Sequence, residues 1–418
     1  MQTSYKYGQT CLDFEIPDEN ILGTLAPPLL GSGGNNRELI REALLHPVGS
    51  ANLGDIIRRK AAANAVIVVN DITRPTPYRD ILPPLLEEIE AAGIPAANIK
   101  LVVALGIHRP HTGEENLAIF GDEICRNYEI LNHNCDADLM DMGQLSNGWE
   151  LSINRTVAQA DLLVTTGLVG LHYFAGYSGG RKSILPGVAS RQLIRKNHQM
   201  MADSRACLGN YQDNPVSQLM LEAARLTGVD FIVNVVTASR DDIIFAVAGD
   251  LEQAWLQAVH FCEDLFVQPI AQKADVVVAG CGGYPKDINM YQAQKALDSA
   301  ALAVREGGTI ILLAECREGL GEENFEKWLR EATCPEDIER RFAENFELGG
   351  HKAYAICRTL KTCDIWLYSS LPASTVRSLF FKPLTSVQEG ITAALDRYGP
   401  TTSFWLMPEA PRLTVKLG

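Results

Sequence analysis

Short apolar runs rich in valine and isoleucine alternate with longer amphipathic stretches along most of the chain. Such runs are typical of strands that are buried on both faces of a parallel sheet. They cover residues 65–70, 99–105, 161–166, 230–237, 274–280, 308–314, 363–369 and 403–407. Helical periodicity is found at residues 37–45, 85–93, 216–228, 250–266 and 290–306. The alternation predicts an α/β fold with mainly parallel sheets.

Two local patterns differ from this alternation. Residues 5–16, YKYGQTCLDFEI, alternate apolar and polar side chains and predict an antiparallel hairpin at a sheet edge. The Pro83-Pro84 pair stands just before the helical pattern at residue 85. Since proline lacks a backbone N–H, the pair predicts a first helical turn at this point.

The chain divides most naturally near residues 266–275. A long helical pattern ends there, Pro269 follows, and a new series of strands and helices begins. A length of 418 residues exceeds that of an ordinary single domain. We therefore predict an N-terminal α/β domain at residues 1–266, which binds the cofactor, and a C-terminal α/β domain at residues 270–418.

Composition and charge exclude several classes of function. The formal net charge is −14, which argues against general affinity for nucleic acid. The ten cysteines are scattered singly, without a C-x-x-C pair, and this is typical of free thiols in a reducing compartment. Neither a signal-peptide pattern nor an apolar run of spanning length is present. We expect a soluble cytoplasmic protein that binds neither membranes nor nucleic acid.

Polar and glycine-rich segments directly follow four of the predicted strands. They are residues 71–75, 106–112, 167–183 and 280–285. Ligands of open α/β sheets bind outside the carboxyl ends of the strands, so these segments are expected to converge on one site. Loops of this length and glycine content contribute little to a core and commonly carry function.

The segment G-Y-S-G-G-R-K-S at residues 176–183 nearly matches the phosphate-binding P-loop. Arg181, however, stands where a second glycine would let the backbone approach a phosphate. Consecutive Gly and Ser amides still suit an anionic ligand. A nucleotide-dependent oxidoreductase or phosphoryl-transfer enzyme that uses this loop therefore remains an alternative, as does a tight turn with a surface Arg-Lys pair.

Three histidines lie in or beside these segments: His108, His172 and His198. Histidine can accept and donate protons at neutral pH. Two histidines in separate strand-end segments could therefore serve as proton acceptors on the two faces of a carbinol carbon, as a racemisation would need. His198 is either a single metal ligand or a surface residue. His111 is three residues from His108, but Pro110 between them disfavours a helical metal pair.

Two cations suit an anionic substrate. Arg74 can hold a carboxylate through two parallel hydrogen bonds, whereas Lys295 supplies a point charge. Gln292 and Lys295 are three residues apart and share a helix face, with Tyr291 beside them. Without a ligand, Lys295 would be an ordinary exposed lysine.

These motifs resemble those of the nickel-dependent lactate racemase family, the racemases and epimerases of 2-hydroxy acids that use a nickel-pincer nucleotide. The resemblance extends over nearly the whole chain. Its motifs are D-I-T-R-P-T-P (71–77), G-I-H-R-P-H-T (106–112), H-Y-F-A-G-Y-S-G-G-R-K-S-I-L-P-G (172–187), K-N-H ending at His198, and G-G-Y-P-x-D-x-N-x-Y-Q-A-x-K (282–295).

The resemblance implies two α/β domains with the active site in the cleft between them. It also implies a cofactor, the nickel complex of pyridinium-3-thioamide-5-thiocarboxylate mononucleotide, attached through Lys182, with His198 as a nickel ligand. His108 and His172 would alternate as proton acceptors while C2 of the substrate passes a hydride to the cofactor. The candidates for cofactor binding are Asp71, Thr73, Ser178, Gly179 and Gly180. Those for substrate binding are Arg74, Tyr291, Gln292 and Lys295.

One segment departs from the family pattern. Residues 349–353, GGHKA, stand where the lactate-specific enzyme has a bulky tryptophan. His351 would make the pocket more polar and is a further candidate for substrate binding. The substrate is therefore lactate, malate or another small 2-hydroxy acid, including a sugar acid.

The resemblance also implies partners. Cofactor-synthesis enzymes are expected as transient partners.

Overall fold

The computed structural model describes residues 1–28, 30–31, 34–239, 241–344 and 346–418. The strands are β1 (Gln2–Tyr7), β2 (Thr10–Glu15), β3 (Ile21–Thr24), β4 (Ala65–Asn70), β5 (Ile99–Ala104), β6 (Glu129–Asn132), β7 (Leu139–Gln144), β8 (Glu150–Asn154), β9 (Leu162–Leu168), β10 (Leu171–His172), β11 (Gly176–Tyr177), β12 (Phe231–Ser239), β13 (Asp242–Gly249), β14 (Val267–Ile270), β15 (Ala274–Gly280), β16 (Val304–Leu313), β17 (Cys363–Tyr368), β18 (Lys382–Pro383), β19 (Phe404–Met407) and β20 (Thr414–Leu417).

The helices alternate with most of these strands. They are α1 (Asn36–Leu45), α2 (Leu53–Lys60), α3 (Tyr78–Ala91), α4 (Gly113–Phe120), α5 (Asp122–Asn127), α6 (Arg155–Ala158), α7 (Arg191–Gln199), α8 (Pro215–Thr227), α9 (Gln253–Phe266), α10 (Met290–Ala303), α11 (Glu323–Glu331), α12 (Pro335–Glu344), α13 (Gly350–Leu360), α14 (Ala373–Ser378) and α15 (Val387–Tyr398). The predicted α/β class is confirmed.

Leu29–Asp264 form one compact unit around a mainly parallel sheet. Its strand order is β13-β12-β9-β4-β5-β6, and β13 at the edge is antiparallel to its neighbour. The apolar run of β4 is buried on both faces, and α3 packs its buried residues Ile81, Leu85 and Ile89 into the core. Burial on both faces explains why the central strands are runs of valine and isoleucine rather than alternating sequences.

Met1–Pro28 and Leu265–Gly418 form the other compact unit. Its parallel sheet has the order β18-β17-β16-β15-β19-β3, so that a strand from the start of the chain pairs with β19 near its end. The predicted antiparallel hairpin is confirmed as β1 and β2, but it forms a separate two-stranded sheet rather than the edge of a larger one. Its turn is held by the buried carboxylate of Asp287, whose Oδ2 accepts the Gly8 N–H at 2.7 Å.

This grouping differs from the predicted domain limits at the start of the chain. Residues 1–28 were placed with the N-terminal domain, whereas the structure groups them with Leu265–Gly418. The physical reason is long-range pairing: Tyr5 donates its hydroxyl hydrogen to the Val278 carbonyl at 3.1 Å, and β3 pairs with β19. Periodicity describes local structure and contains no signal for such partners.

The expectation for Pro83-Pro84 is wrong. Helix α3 begins at Tyr78, so the two prolines lie in its second turn. Proline at position 83 removes the helical donor for the Arg79 carbonyl. The Arg37 guanidinium supplies a replacement donor through Nη2 at 3.2 Å. The helix therefore tolerates a residue that usually disrupts its interior.

The described residues also bear on membrane-spanning helices and on the state of the cysteines. Among them, no helix is long and apolar enough to cross a membrane. The ten cysteines, all of which are described, are free thiols.

Candidate functional site

Three of the predicted segments follow adjacent strands of the first sheet. Residues 71–77 follow β4, residues 106–112 follow β5, and residues 169–183 follow β9. Because β9, β4 and β5 are neighbouring parallel strands, their carboxyl ends lie at one edge. The fourth segment, residues 280–285, follows β15 in the other compact unit.

Asp71 and His108 form a hydrogen-bonded pair across two of these segments. The buried Asp71 carboxylate contacts His108 Nδ1, and its second oxygen accepts the Thr73 hydroxyl at 2.7 Å. Burial raises the pKa of Asp71, but hydrogen bonds from His108 and Thr73 and the charge of Arg74 outweigh it and lower the pKa. Since the ionised carboxylate accepts the Nδ1 proton, the lone pair of a neutral His108 lies on Nε2.

His111 positions this pair rather than acting as a metal ligand. Its Nε2 accepts the Ile72 N–H at 2.9 Å, and its Nδ1 lies 3.1 Å from the Asn116 side-chain oxygen. The imidazole therefore uses both nitrogens to hold the backbone beside Asp71. Its position three residues after His108 suggested a metal pair and gave no sign of this role.

Close packing fixes the glycine-rich loop. Gly176 and Gly179 have φ angles of +74° and +103°, in the region that favours glycine. A Cβ atom on Gly176 would lie 2.0 Å from the Asn210 carbonyl oxygen, and one on Gly179 would lie 2.6 Å from Val169. The Ser178 hydroxyl donates to the Leu168 carbonyl at 2.7 Å. Larger residues at the two glycines would therefore displace the segment between His172 and Lys182.

The loop does not have the hydrogen bonding of a P-loop. The amides of Gly180 and Lys182 donate to Asn234 Oδ1 and the Gly179 carbonyl, both at 2.9 Å, rather than pointing together at an anion. Arg181 is buried instead of lying on the surface, and its guanidinium stacks 3.8 Å from the Trp255 ring. These contacts argue against a nucleotide-dependent phosphoryl-transfer enzyme built on this loop.

His172 and Lys182 are in direct contact within the loop. His172 Nδ1 accepts the Ala175 N–H at 3.3 Å, and His172 Nε2 lies 2.9 Å from Lys182 Nζ. A neutral imidazole carries one proton, so this proton is on Nε2 and donates to Nζ. An ammonium group has no lone pair to accept it. The hydrogen-bond pattern therefore requires Lys182 to be a neutral amine.

The electrostatic environment agrees with this protonation state. Burial and the charges of Arg74 and Arg181 lower the pKa of Lys182 well below its ordinary value. Burial is also the largest cause that lowers the pKa of His172, and the charge of Arg74 acts in the same direction. A neutral lysine amine is a nucleophile, whereas an ammonium is not.

His198 lies at the C-terminal end of α7, close to the same group. Its ring meets the Phe174 ring edge at a centroid distance of 5.1 Å, and the opposing His172 ring lies 4.6 Å from Phe174. Its Nδ1 donates to the Ile194 carbonyl at 2.9 Å, which leaves the lone pair of the neutral ring on Nε2. Burial lowers the pKa of His198 to about 3.

The remaining candidates lie in the other compact unit, at the starts of α10 and α13. Asn289 caps α10, because its Oδ1 accepts the backbone N–H of Gln292 at 3.0 Å, and Lys295 Nζ donates to Gln292 Oε1 at 2.8 Å. The predicted shared face of Gln292 and Lys295 is confirmed. His351 is buried, and its Nδ1 accepts the Gly349 N–H at 3.1 Å.

Lys352, which the sequence offers only as the neighbour of His351, contacts Tyr291. It is buried, donates to the Tyr291 carbonyl, and places Nζ 3.8 Å from the centre of the Tyr291 ring. This contact holds Tyr291 at the start of α10. The sequence shows that Lys352 is next to His351, but this spacing does not indicate that its side chain contacts Tyr291.

His133 is a buried histidine outside this group, and it should make stability depend on pH. Its Nε2 donates to the Ala189 carbonyl at 3.0 Å, and burial lowers its pKa from 6.5 to about 4. As pH falls from 6.5 towards 4, the unfolded state therefore binds the proton first and the folded state loses stability. Between pH 7 and pH 5 the loss due to His133 should be about 2 kcal/mol.

Urea unfolding of wild type and His133→Gln at both pH values measures this loss. Glutamine keeps a donor for the Ala189 carbonyl but does not titrate. The difference in stability between pH 7 and pH 5 should be smaller in the variant. Equal differences in the two proteins would contradict the assignment.

Comparisons with known proteins show which family the chain resembles. Residues 7–209 match the family described as Lactate racemase N-terminal domain, and residues 270–413 match Lactate racemase C-terminal domain. The lactate racemase of Thermoanaerobacterium thermosaccharolyticum is 39% identical over 338 residues, which are 79% of this chain and 78% of that protein. The lactate racemase of Lactiplantibacillus plantarum is 37% identical, with 79% of each chain covered.

A solved structure extends the match to the whole fold. The lactate racemase apoprotein from T. thermosaccharolyticum superimposes with a TM-score of 0.90 at 32% sequence identity. The match covers 100% of both chains.

Proposed function

Because the chain belongs to the lactate racemase family, whose members are isomerases, we propose that it racemises or epimerises lactate or a related small 2-hydroxy acid. The observation that carries the proposal is the pair of histidines at one sheet edge with complementary protonation. His108 has its lone pair on Nε2, whereas His172 has its proton there. At Nε2, His108 can therefore accept a proton, and His172 can donate a hydrogen bond.

The nickel-pincer nucleotide is the cofactor in this proposal, and the chain's donor groups suit it. Lys182 offers a neutral amine for covalent attachment, and His198 offers a lone pair on Nε2, a ligand type that suits nickel. Asp71, Thr73, Ser178, Gly179 and Gly180 shape the surrounding loops and complete the proposed binding set. When bound, the cofactor supplies a reversible hydride acceptor for C2 of the substrate.

The histidines provide the proton chemistry. His108 Nε2 accepts the hydroxyl proton from one enantiomer, and the Asp71 carboxylate stabilises the imidazolium that forms. The substrate becomes a planar 2-oxo acid. His172, once it has taken up a proton from solvent, returns its Nε2 proton to the oxygen when the opposite enantiomer is formed and is left as a neutral imidazole. The roles reverse for the reverse reaction, so every turnover uses both residues.

The cations anchor the substrate in this mechanism. Arg74, whose charge affects both Asp71 and Lys182, is exposed beside the histidines and is proposed to bind the carboxylate. Tyr291, Gln292 and Lys295 are proposed to contact the carboxylate or hydroxyl group. A fixed carboxylate keeps the planar intermediate bound while it turns its other face. We place the enzyme in the cytoplasm, with the cofactor-synthesis enzymes as its transient partners.

The decisive experiment is polarimetry on protein produced together with the cofactor-synthesis enzymes. D- and L-lactate should each lose optical rotation without net oxidation, and the protein should contain nickel and gain the mass of the cofactor. Protein made without those enzymes is the matched control and should be inactive. Accumulation of a 2-oxo acid with reduction of added NAD would support an oxidoreductase instead.

Substrate preference should depend on His351. A second carboxylate, as in malate, needs a polar partner because a buried unpaired charge costs on the order of several kcal/mol. His351, with Lys352 next to it, is the proposed partner. Substrates with a polar group at C3 or C4 should therefore be racemised as fast as lactate or faster. His351→Trp should shift the preference towards lactate.

Racemisation rates of lactate, 2-hydroxybutyrate, malate and gluconate measure this preference in wild type and in His351→Trp. Since Gly350 packs tightly against Trp328, melting curves must show that the variant is folded. A strong preference of the wild type for lactate, with the same ranking in the variant, would remove His351 from the specificity residues.

A further inference from the structure

Lys182 is held as a nucleophile before any cofactor is attached. Its Nζ accepts a hydrogen bond from His172, and the charged groups nearest to it, Arg74 and Arg181, are cations that oppose protonation. The one acidic side chain described in this group, Asp71, is engaged by His108 and Thr73. The amine therefore has no carboxylate to convert it into an ammonium ion.

Arg181 maintains this environment from within the fold. Its guanidinium is 1% exposed and donates from Nη2 to the Ala175 and Tyr177 carbonyls, each at 3.2 Å. Among the described residues, its Nε and Nη1 atoms have no hydrogen-bond partner. The positive charge is thus not neutralised by a counter-ion, and it lies one residue from the amine.

We propose that the chain without cofactor captures 2-oxo acids, forming a reversible imine between their carbonyl carbon and Lys182 Nζ. The Nζ lone pair forms a bond to the carbonyl carbon, and one Nζ proton moves to the carbonyl oxygen to give a carbinolamine. His172 Nε2–H then protonates the hydroxyl group, which leaves as water, and the remaining Nζ proton passes to His172 Nε2 as the imine forms. Amine and 2-oxo acid become imine and water, without oxidation or reduction.

Arg74 directs this reaction towards acids. Its charge reaches both Lys182 and His172, as the lowered pKa values of those groups show. A guanidinium binds a carboxylate, so a 2-oxo acid is held with its carbonyl beside the amine, whereas a neutral ketone is not. The choice of acid rests on the proposed function, since a 2-oxo acid is the planar intermediate of that reaction.

Imine formation and cofactor attachment use the same lone pair and therefore exclude each other. A 2-oxo acid bound to Lys182 would delay cofactor loading but would be released by hydrolysis. In the protein that still lacks its cofactor, Lys182 thus binds a second class of ligand, the 2-oxo acids.

The test uses cofactor-free protein, checked by intact mass, with pyruvate and cyanoborohydride at neutral pH. The hydride of the reagent reduces an imine to a stable carboxyethyl-lysine, which peptide mass spectrometry localises. Lys182 should be labelled at least ~10-fold faster than the exposed Lys327, because ordinary lysines are almost fully protonated at this pH. Lys182→Arg should lose this fast labelling.

Arg74→Gln is the matched variant, since Arg74 is exposed on a loop and its loss should not unfold the protein. Removal of the Arg74 charge favours the ammonium form of Lys182 and should slow labelling by acetone as well as by pyruvate. The loss should be larger with pyruvate, because only pyruvate has a carboxylate for Arg74 to bind. Labelling of Lys182 no faster than that of Lys327 would overturn the proposal, as would equal labelling of Arg74→Gln and wild type by pyruvate. Neither cofactor nor nickel takes part, so failure here is distinguishable from failure of the racemase assay.

Discussion

Lys182→Ala protein should fold normally, remain at the mass of the bare chain and show no racemase activity after production with the cofactor-synthesis enzymes. The amine of Lys182 is the nucleophile proposed to form the covalent bond, and its hydrogen bond to His172 is lost with the side chain. No other lysine is placed in this loop by the sequence. Intact mass, nickel content and polarimetry measure the three outcomes.

Lys327→Ala is the control for general effects of removing a lysine, because Lys327 is exposed on α11. It should retain the cofactor mass and full activity. Circular dichroism should show that both variants are folded. An active Lys182→Ala protein carrying the cofactor would falsify the attachment site and leave only non-covalent binding.

His108→Ala and His172→Ala should each stop racemisation in both directions, with losses of about 10²–10⁴-fold in kcat. Both imidazoles are used in every turnover, so neither direction survives the loss of one. The first half of the reaction should nevertheless distinguish them. Each variant should oxidise one enantiomer to the 2-oxo acid in a single turnover, and the preferred enantiomer should be opposite in the two variants.

Rapid-quench measurement of the 2-oxo acid formed per enzyme, from D- and from L-substrate, tests this asymmetry. His111→Gln is the comparison, since His111 contacts the loop backbone rather than taking part in the proposed proton transfer. Because His111 positions the Asp71–His108 pair, the variant should weaken the half-reaction that uses His108, but less than His108→Ala does. If both histidine variants oxidise the two enantiomers equally, the pair does not divide the substrate faces.

The sequence predicts the architecture well because burial on both faces leaves a visible pattern. The run at residues 65–70 coincides with β4, and the run at 274–280 coincides with β15. The limits of helices were less accurate: α3 begins seven residues before the predicted 85, at Tyr78. A side-chain donor from Arg37 compensates for proline there, and such a distant contact leaves no periodic signal.

The site was predictable in position but not in chemistry. Strand ends place Asp71, His108 and the glycine-rich loop at one edge, as the order of elements implied. The protonation of His172 and Lys182 depends on a single backbone N–H, that of Ala175, whose direction is set by the folded loop. The burial of Arg181 could not be predicted from the sequence either, because an arginine in a polar motif is expected on the surface.

The pairing of β3 with β19 has a consequence for how the chain folds as it leaves the ribosome. Ile21 in β3 pairs with Phe404 in β19. Strand β3 therefore cannot pair until residues up to 404 have been synthesised. Residues 29–264 contain their own sheet and core and can fold first. Contacts so distant in sequence form slowly because a very long loop must be closed. During synthesis, residues 1–28 are therefore exposed to chaperones and proteases for longer than residues 29–264.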